Sequence, residues 1–441
     1  MAISIFKTAF AVLVAFETWT VEGLQRRQSE KSHWVDIWGT MPQLVEPANL
    51  PSAPFNGTDV VFEDASLRQT IFVTQSAPTI RLVISNAFGG SDLPISSATL
   101  AVPLNGSAGT SAIKPESLAP LTFSGGLSGI TIPNGARAIS DPIAYPVTAQ
   151  QILTISLYLA TGQTTNSITG HPGSRTNSYY TPGNATADAD VASNNATQTS
   201  QHWYFISAVE GYLPTSLGTR AMAIIGDSIT DGRASDNNEN NRWPDNVLRR
   251  LQASNATDFQ KNIALINEAA GGNRVLADGL GPNAFGRVDR DVLAQSGVTY
   301  AMIFEGVNDI GTADTDVASQ QAVGDELLAA FDQMISMVHA RGIPIFGATI
   351  TPFGGDGQVY SDANREATRQ RVNDWIRTSG RYDGVVDFDA AVRNPANVTQ
   401  LNPLYDSGDH LHPNPLGYQV MAAAFDLDLF EKFADGVDGI I

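Results

Sequence analysis

From about Leu217 onward, short apolar runs alternate with longer amphipathic stretches, and this alternation restricts the fold more than any other feature of the sequence. The short runs have strand length, and the longer stretches repeat apolar residues every three or four positions, as helices do. The predicted strands are residues 221–225, 263–267, 300–305, 343–350 and 385–388, and the predicted helices are residues 243–253, 320–341, 364–378 and 416–433. Strands that alternate with helices form βαβ units, so the sequence predicts an α/β domain with a mainly parallel sheet.

Residues 33–212 have a different pattern, which is typical of an all-β domain. Short runs rich in Val, Ile, Thr and Phe are separated by Gly, Pro, Asn and Ser, and no helical period is sustained. The clearest predicted strands are residues 67–73, 79–85 and 152–159. Many short strands between turn residues are typical of a β-sandwich, and we expect one of jelly-roll type. Residues 174–200, which are rich in Asn, Thr, Ala and Ser, are predicted to form an exposed loop.

Residues 1–23 have the composition of a secretory signal peptide. Lys7 supplies the positive charge, and residues 8–16 form an apolar segment that is too short to span a bilayer. The alternative is a buried N-terminal helix. We expect a secreted, extracellular protein, glycosylated at some of its Asn-x-Ser/Thr sequons. These sequons begin at Asn56, Asn105, Asn184, Asn195, Asn255 and Asn397.

Charge and cysteine content exclude several classes of function. The formal net charge of −19 argues against nucleic acids and anionic membrane surfaces as partners. The chain has no cysteine, which excludes a thiol nucleophile, an Fe–S cluster and a cysteine-based zinc site. Residues 433–441 lack the long apolar tail of a lipid-anchor signal. We therefore expect a monomer without a membrane anchor.

A candidate nucleophile follows the first predicted strand of the α/β region. The apolar run 222–225 is followed by Gly226, Asp227 and Ser228. Glycine permits a sharp turn, and open α/β sheets place their chemistry at the C-terminal ends of the strands. The alternative is that Ser228 only caps a helix.

Asp409 and His412 are the candidate partners of this serine. They lie three residues apart, in a loop before the last predicted helix. A carboxylate at this spacing folds back onto the imidazole Nδ1–H, which leaves Nε2 free to take a proton from a serine. We predict that Ser228 is the nucleophile, His412 the general base and Asp409 the group that orients the ring. A metal site formed by Asp409, His410 and His412 is the alternative, but without a third His or any Cys nearby we expect no metal and no other cofactor.

Three groups are candidates for an oxyanion hole. They are the backbone N–H of Ser228, the backbone N–H of Gly272, which follows the second predicted strand, and the side-chain amide of Asn308, which follows the third. Together with the three residues above, they would complete the requirements for acyl transfer. The alternatives are an ordinary strand-to-helix turn at Gly272 and a structural turn residue at Asn308.

At these positions the sequence resembles the SGNH (GDSL) hydrolase family. Residues 226–228 match its first block, residues 306–309 its third and residues 409–413 its fifth. The sequence departs from the usual first block at Ile229, where leucine is common. The resemblance covers residues 218–435 and implies a flavodoxin-like α/β/α fold, a Ser-His-Asp triad and no metal.

The second block is a looser match. Ala269 stands where the family often has glycine, which leaves Gly271 as an alternative to Gly272 for the oxyanion hole.

A finer resemblance points to a substrate. Residues 231–233, 241–245, 271–276, 285–293 and 305–311 are similar to a subgroup related to bacterial xylan-linked acetyl esterases, which carries an N-terminal β-domain. It implies a secreted serine carboxylic-ester hydrolase that deacetylates plant cell-wall polysaccharide such as xylan. The expected partner is therefore a small-molecule or polysaccharide ester. Two alternatives stay open: a broad-specificity esterase or lipase acting on lipid or aryl esters, and a non-catalytic carbohydrate-binding protein.

Overall fold

A computed structural model describes residues 31–439, so the predicted signal peptide lies outside the described residues. The N-terminal region is built from antiparallel strands. In chain order they are β1 Ser32–Gly39, β2 Gln43–Leu44, β3 Asn56–Gly57, β4 Val60–Val61, β5 Ala65–Phe72, β6 Ile80–Ser85, β7 Leu93–Ile95, β8 Ser97–Ala101, β9 Ala119–Leu121, β10 Ile130–Ile132, β11 Arg137–Ile139, β12 Ile152–Leu159, β13 Thr169–His171, β14 Ser178–Pro182, β15 Gln198–Ser200, β16 Trp203–Tyr204 and β17 Ile206–Pro214. Between residues 31 and 218 the only helices are short 3₁₀ turns at Pro47–Asn49, Pro115–Ser117, Val191–Ser193 and Thr215–Leu217.

Two antiparallel sheets enclose the core of this region. Their strand orders are β1-β17-β6-β11 and β15-β14-β5-β12-β8-β9. Val35 and Ile84 from the first sheet lie in the same hydrophobic core as Leu67 and Ile155 from the second. This arrangement agrees with the β-domain that the sequence predicts, and a smaller antiparallel sheet has the strand order β16-β13-β2.

The prediction of an exposed loop over residues 174–200 is wrong for the strands in the segment, whereas residues 183–197 contain no strand and most of them are exposed. The segment contains β14 and β15, and β14 pairs with β5 so that Tyr180 lies opposite Leu67. Tyr180 is buried, and its ring packs against those of Phe55, Phe62 and Tyr204. Aromatic packing therefore makes a strand from a segment whose composition is typical of a loop.

The C-terminal region is an α/β fold around a parallel sheet. Its sheet strands are β18 Arg220–Gly226, β19 Ile263–Ala269, β20 Val298–Phe304, β21 Ile345–Ala348 and β22 Gly384–Val386, and a small hairpin follows at β23 Arg393–Asn394 and β24 Asn397–Leu401. The helices are α1 Ser228–Asp231, α2 Trp243–Leu251, α3 Asp258–Lys261, α4 Val307–Thr312, α5 Val317–His339, α6 Ala363–Thr378, α7 Phe388–Val392, α8 Pro415–Ala424 and α9 Asp428–Lys432, with a 3₁₀ turn at Phe285–Arg287 and a π turn at Asp289–Leu293.

The order of the parallel strands positions the site. The sheet runs β19-β18-β20-β21-β22, and every pairing in it is parallel. Numbered within this sheet alone, the order is 2-1-3-4-5, that of flavodoxin-like folds. In such sheets ligands bind beyond the carboxyl ends of the strands, where the direction of winding reverses, which here is between β18 and β20. Ser228 follows the first of these strands and Asn308 follows the second.

The prediction of one final helix over residues 416–433 is wrong, because α8 and α9 are separate helices. Phe425 has extended backbone angles and its buried ring packs against Phe346 and Phe430. Arg250 Nη1 donates to the carbonyl oxygen of Phe425 at 2.6 Å. The helix therefore ends where an aromatic ring must turn into the core and a guanidinium binds the free carbonyl group.

The two regions are joined by backbone and side-chain contacts. Asp36 on β1 donates its N–H to the carbonyl oxygen of Ser296 at 2.8 Å, and its carboxylate accepts the N–H of the same residue at 2.7 Å. Gln75 Nε2 donates to the carbonyl oxygen of Lys261 at 2.8 Å. None of the helices between residues 31 and 439 is long and apolar enough to cross a membrane.

Candidate active site

Ser228 lies just beyond the end of β18, as the first residue of the single-turn helix α1. Asp227 caps this helix, because its Oδ1 accepts the Ile229 N–H at 2.8 Å. Gly226 is required by close packing, since a Cβ there would lie 2.5 Å from the side chain of Thr230. The serine is thus held at the C-terminal edge of the sheet by a tight strand-to-helix turn.

A continuous line of hydrogen bonds connects Ser228, His412 and Asp409. Ser228 Oγ lies 2.8 Å from His412 Nε2, and His412 Nδ1 lies 2.6 Å from Asp409 Oδ2. The other carboxylate oxygen, Oδ1, accepts the backbone N–H groups of His412 at 2.8 Å and Leu411 at 3.0 Å. With Nδ1–H donated to the carboxylate, the neutral ring presents an unprotonated Nε2 to the hydroxyl. This arrangement can accept a proton from the serine as its oxygen attacks an electrophile.

Asp409 remains a carboxylate because of its hydrogen bonds. Partial burial raises its pKa, but hydrogen bonds from the His412 ring and backbone outweigh this effect and hold the pKa below its ordinary value. The negative charge that would stabilise an imidazolium is therefore present even in mildly acidic solution.

The predicted oxyanion donors line the same cleft as Ser228. Asn308 Nδ2 donates one hydrogen bond to the carbonyl oxygen of Asn273 at 2.8 Å, and Asn308 Oδ1 accepts the Tyr360 hydroxyl at 3.1 Å. These two contacts orient the amide. An NH₂ group carries two hydrogens, so a second donor is left for a ligand.

Gly272 and Gly271 differ in whether their N–H groups are available. The Gly271 N–H donates to Asp231 Oδ2 at 3.1 Å. The N–H groups of Gly272 and Ser228 donate to no residue between 31 and 439. Gly272 also has a φ of +74°, which favours glycine. Of the two glycines, Gly272 is therefore the one with a free donor.

Asp309 holds the loop that carries Gly272 in place. Its two carboxylate oxygens accept the N–H groups of Val275 at 2.9 Å and Leu276 at 3.0 Å. Burial raises the pKa of Asp309, although these hydrogen bonds act in the opposite direction. One short segment after β20 thus supplies an amide to the cleft at Asn308 and supports the neighbouring loop at Asp309.

Buried carboxyl groups lie behind the nucleophile. Burial raises the pKa of Asp227 to about 7, and the nearby Asp309 and Asp231 charges add to this effect. Burial also raises the pKa of Glu305 well above its ordinary value, and Arg287 approaches that carboxyl group at 3.5 Å. The carboxyl groups of Asp227 and Glu305 are buried and do not line the cleft.

Both regions of the chain line the cleft, which has a volume of about 460 Å³. The antiparallel region supplies one wall, whose polar and charged members are Gln43, Glu46, Asn49, Arg175 and His202. The α/β region supplies the other wall, which includes Ser228, Arg233, Gly272, Asn308, Tyr360 and His412. Most of the lining residues have polar or charged side chains, and the volume is in the usual range for small-molecule sites.

The sequence did not point to the residues of the antiparallel wall. His171 has no notable neighbours in the sequence, yet its Nε2 lies 2.9 Å from Asp231 Oδ1, and both side chains are buried. Asp231 belongs to the segment 231–233 of the finer resemblance, but the sequence assigns it no partner. Nothing in the local sequence of His171 indicates a partner 60 residues away.

The side chains of the alternative metal site belong to separate pairs. His410 Nδ1 lies 2.6 Å from Asp406 Oδ2, whereas His412 pairs with Asp409. In the described part of the chain, no three His, Cys, Asp or Glu side chains are arranged to hold a metal ion.

The sequon asparagines differ little in accessibility. Asn56 is half-buried, and the other five are exposed: Asn105, Asn184, Asn195, Asn255 and Asn397.

Comparisons with known proteins concern the α/β region. Residues 224–420 match the family described as GDSL-like Lipase/Acylhydrolase. A search of curated proteins found no match to the chain. Among solved structures, an acetyl xylan esterase from Geobacillus stearothermophilus is 24% identical, with 48% of this chain and 94% of that chain covered and a TM-score of 0.36.

Two further solved structures cover the same share of the chain. A lipase/acylhydrolase from Enterococcus faecalis is 20% identical, with 48% of this chain and 95% of that chain covered and a TM-score of 0.35. A GDSL-like lipase from Bacteroides thetaiotaomicron is 17% identical, with 48% and 89% covered and a TM-score of 0.35. Residues 224–420 of the α/β region are therefore similar to the GDSL-like lipases and acylhydrolases.

Proposed function

We propose that the protein is a serine carboxylic-ester hydrolase that works through an acyl-enzyme. The observation that carries this proposal is the line of hydrogen bonds from Ser228 Oγ to His412 Nε2 and from His412 Nδ1 to Asp409. The family match over residues 224–420 supports the same class of reaction.

The proposed reaction has two halves. Ser228 Oγ attacks the ester carbonyl carbon while its proton passes to His412 Nε2, and Asp409 stabilises the imidazolium that forms. His412 then returns the proton to the leaving alcohol as the carbon–oxygen bond of the ester breaks. In the second half, water attacks the acyl-serine, His412 takes the proton of the water, and the acid departs as Ser228 regains its proton.

The proposed oxyanion hole stabilises both tetrahedral intermediates. Its donors are the N–H groups of Ser228 and Gly272 and the free amide hydrogen of Asn308. Donors that are already oriented cost no reorganisation when the negative charge develops, so they lower the barrier rather than only tightening substrate binding.

For the substrate, we propose a short acyl group, chiefly acetyl, on a hydroxyl-rich alcohol. The support is the number of hydrogen-bonding side chains along the cleft, because residues such as Asn49, Arg175 and His202 suit a sugar better than a long hydrocarbon chain. Plant cell-wall polysaccharide such as xylan is the narrower proposal, which rests on the resemblance of residues 271–276 and 285–293 to the xylan-linked subgroup.

We further propose a secreted glycoprotein in two domains. A jelly-roll-like domain spans residues 33–212 and the hydrolase domain spans residues 218–435. Exposed sequons at Asn105 and Asn255 support glycosylation. Cleavage near residue 23 is tested by N-terminal sequencing of secreted material, and glycosylation by its mass before and after enzymatic removal of N-glycans.

The deciding experiment measures acid release from a panel of esters. Acetylated xylan, mannan and pectin are compared with acetyl and long-chain nitrophenyl esters, and Ser228→Ala serves as the blank. We expect acetyl esters to be cleaved fastest and Ser228→Ala to lose at least about 10⁴-fold in turnover. Clear preference for long chains would replace the deacetylase proposal by a lipase. Folded wild-type protein that cleaves no ester would refute the hydrolase.

A further inference from the structure

We propose that His171, a residue of the antiparallel region, is a positioning residue for the oxyanion hole of the α/β region. It acts through Asp231 on the N–H of Gly271, and so on the neighbouring Gly272. The inference rests on the proposed function, because it concerns the donor that would bind the developing oxyanion. It also gives the antiparallel region a part in the reaction beyond forming a wall of the cleft.

Three consecutive hydrogen bonds connect the two regions at this point. Met41 accepts through its carbonyl oxygen from His171 Nδ1 at 3.1 Å, and His171 Nε2 lies 2.9 Å from Asp231 Oδ1. The second carboxylate oxygen, Oδ2, accepts the Gly271 N–H at 3.1 Å. The Asp231 carboxylate thus contacts both regions of the chain, with Oδ1 at His171 and Oδ2 at Gly271.

Both ring nitrogens of His171 face atoms that accept hydrogen bonds. A carbonyl oxygen and a carboxylate oxygen can only accept hydrogen bonds, and a neutral imidazole has only one N–H. Both contacts, with Met41 and with Asp231, are therefore made when both ring nitrogens carry hydrogen. His171 and Asp231 then form a buried ion pair, and such a pair is costly to break from one side.

The charge of Asp231 is held by several cations. Burial raises its pKa, but the charge and hydrogen bond of His171, together with the nearby Arg175 and Arg242, outweigh burial and lower the pKa below its ordinary value. Arg242 Nε also donates to the Asp231 carbonyl oxygen at 3.0 Å. The carboxylate is therefore available as a fixed acceptor for the Gly271 N–H.

Close packing from the antiparallel region limits how Asp231 can move. A Cβ on Gly173 would lie 1.7 Å from Asp231 Oδ2, so only a glycine leaves room for the carboxylate there. On the other side, the Gly271 N–H is occupied, which leaves the next N–H, that of Gly272, to face the cleft. The two N–H groups belong to successive peptide units joined at the Gly271 Cα. Fixing the first therefore leaves only the φ and ψ angles of Gly271 to change the direction of the second.

The position of Asp231 in the sequence couples the nucleophile to this support. Asp231 is the last residue of α1, and Ser228 is the first. A shift of the Asp231 carboxylate would therefore move the oxyanion loop and disturb the turn that carries Ser228. Displacements of about 1 Å in such groups reduce turnover by about 100-fold.

The experiment replaces His171 in the full chain. His171→Leu removes both hydrogen bonds, and His171→Gln keeps one donor at the end of its side chain. For nitrophenyl acetate we expect His171→Leu to lower kcat by about 10- to 100-fold while KM changes by less than about threefold, and His171→Gln to lie between it and the wild type. Affinity for a boronic acid, which forms a tetrahedral adduct on the nucleophile, should fall by a similar factor because that adduct uses the oxyanion hole.

A second histidine–carboxylate pair provides the matched control. His339 Nε2 lies 2.7 Å from Asp383 Oδ2, which also accepts a backbone N–H, that of Ile345, at 2.7 Å. Ile345 begins a sheet strand, so this pair lies at the end of the sheet opposite to Ser228. His339→Gln removes a comparable buried pair without touching the cleft, and we expect its kcat and boronate affinity to match those of the wild type.

Four outcomes would overturn the inference. Folded His171→Leu with wild-type kcat and boronate affinity would exclude a positioning role, and so would an equal loss in His339→Gln. Failure of both His171 variants to fold would make the pair a stability element only. A loss confined to KM would place His171 in substrate binding. If the wild type itself cleaves no ester while remaining folded, the proposed hydrolase is refuted, which is a different result from any of these.

Discussion

The two walls of the cleft differ in how they are built. The α/β wall carries the candidate reacting groups, and each follows the end of a strand or lies in a single loop, as Ser228, Asn308 and His412 do. The antiparallel wall brings together residues from distant parts of the chain, such as Glu46, Arg175 and His202. In a parallel sheet, the topology alone brings the reactive side chains to one edge. In the antiparallel wall, the side chains come together only through tertiary packing.

The largest effect should come from the α/β wall, in Asp409→Asn. An amide would still accept the Leu411 N–H, but it would favour the wrong tautomer of His412 and would not stabilise the imidazolium. We expect kcat to fall by about 10⁴-fold with the fold intact. Stopped-time assays on acetyl esters measure the loss, and circular dichroism verifies the fold. A loss below tenfold would mean that Asp409 does not orient the base.

Buried charge behind the α/β wall should make stability depend on pH. The pKa of Asp227 is raised to about 7 by burial, so the folded state holds a proton that the unfolded chain has lost. Its contribution is complete below about pH 4 and is lost as the pH rises to 7, which amounts to about 4 kcal/mol. In Asp227→Asn, which keeps the helix cap, urea unfolding between pH 4 and pH 8 should show a smaller decline. An equal decline in both proteins would place the proton elsewhere.

Asn308→Ala tests the oxyanion amide on the same wall. The substitution removes the free N–H₂ hydrogen together with the contacts to Asn273 and Tyr360. Removing one such donor typically reduces kcat by about 100-fold or more. The matched control is Tyr360→Phe, which removes the hydroxyl contact but leaves the amide in place and should cost less than about tenfold. Near-normal turnover in Asn308→Ala would exclude it from the oxyanion hole.

The features of the α/β wall could be predicted from the sequence better than those of the antiparallel wall. The ends of β18 and β20 are predicted well, because a buried parallel strand is a continuous apolar run and its end is marked by glycine. The spacing of Asp409 and His412 is local, so their contact follows from the sequence alone. The family match supports the hydrolase class, while the individual roles of Ser228, Asp409 and His412 remain predictions.

The remaining features of the fold and the site depend on tertiary contacts that no local sequence pattern predicts. The pairing of His171 with Asp231 spans 60 residues and two regions, and neither residue type nor spacing signals it. The segment that forms β14 has the composition of a loop, but the rings of Phe62 and Tyr204 pack against its Tyr180 and bury it. The break after α8 depends on where the ring of Phe425 must pack. In each case tertiary packing overrides composition.

The antiparallel wall should affect substrate binding more than turnover, which Arg175→Gln tests. The Arg175 guanidinium lines the cleft, and none of the described residues accepts a hydrogen bond from it or forms an ion pair with it. Its Nε is buried, so the Nη groups are the donors that are free for a sugar hydroxyl. The Arg175 charge also lowers the pKa of Asp231, but His171 and Arg242 still support that carboxylate in the variant. We therefore expect KM for acetylated oligosaccharide to rise about 3- to 10-fold, and kcat for nitrophenyl acetate to fall by no more than about twofold, much less than in His171→Leu. A drop in kcat for both substrates would show that the two walls do not divide binding and chemistry.

The smallest effect is expected in His410→Gln, two residues from the candidate base. His410 and Asp406 form a pair whose Nδ1–Oδ2 distance of 2.6 Å equals that of His412 and Asp409. The His410 ring is the more exposed of the two, and only His412 reaches Ser228 with its Nε2. We expect His410→Gln to keep kcat within about twofold, and His412→Gln to lose about 10⁴-fold or more. Equal losses in the two variants would show that the loop as a whole, rather than the contact with Ser228, supports activity. A carboxylate behind an imidazole is common to both pairs, so it is the far nitrogen and the sheet edge it reaches that distinguish a base from a surface ion pair.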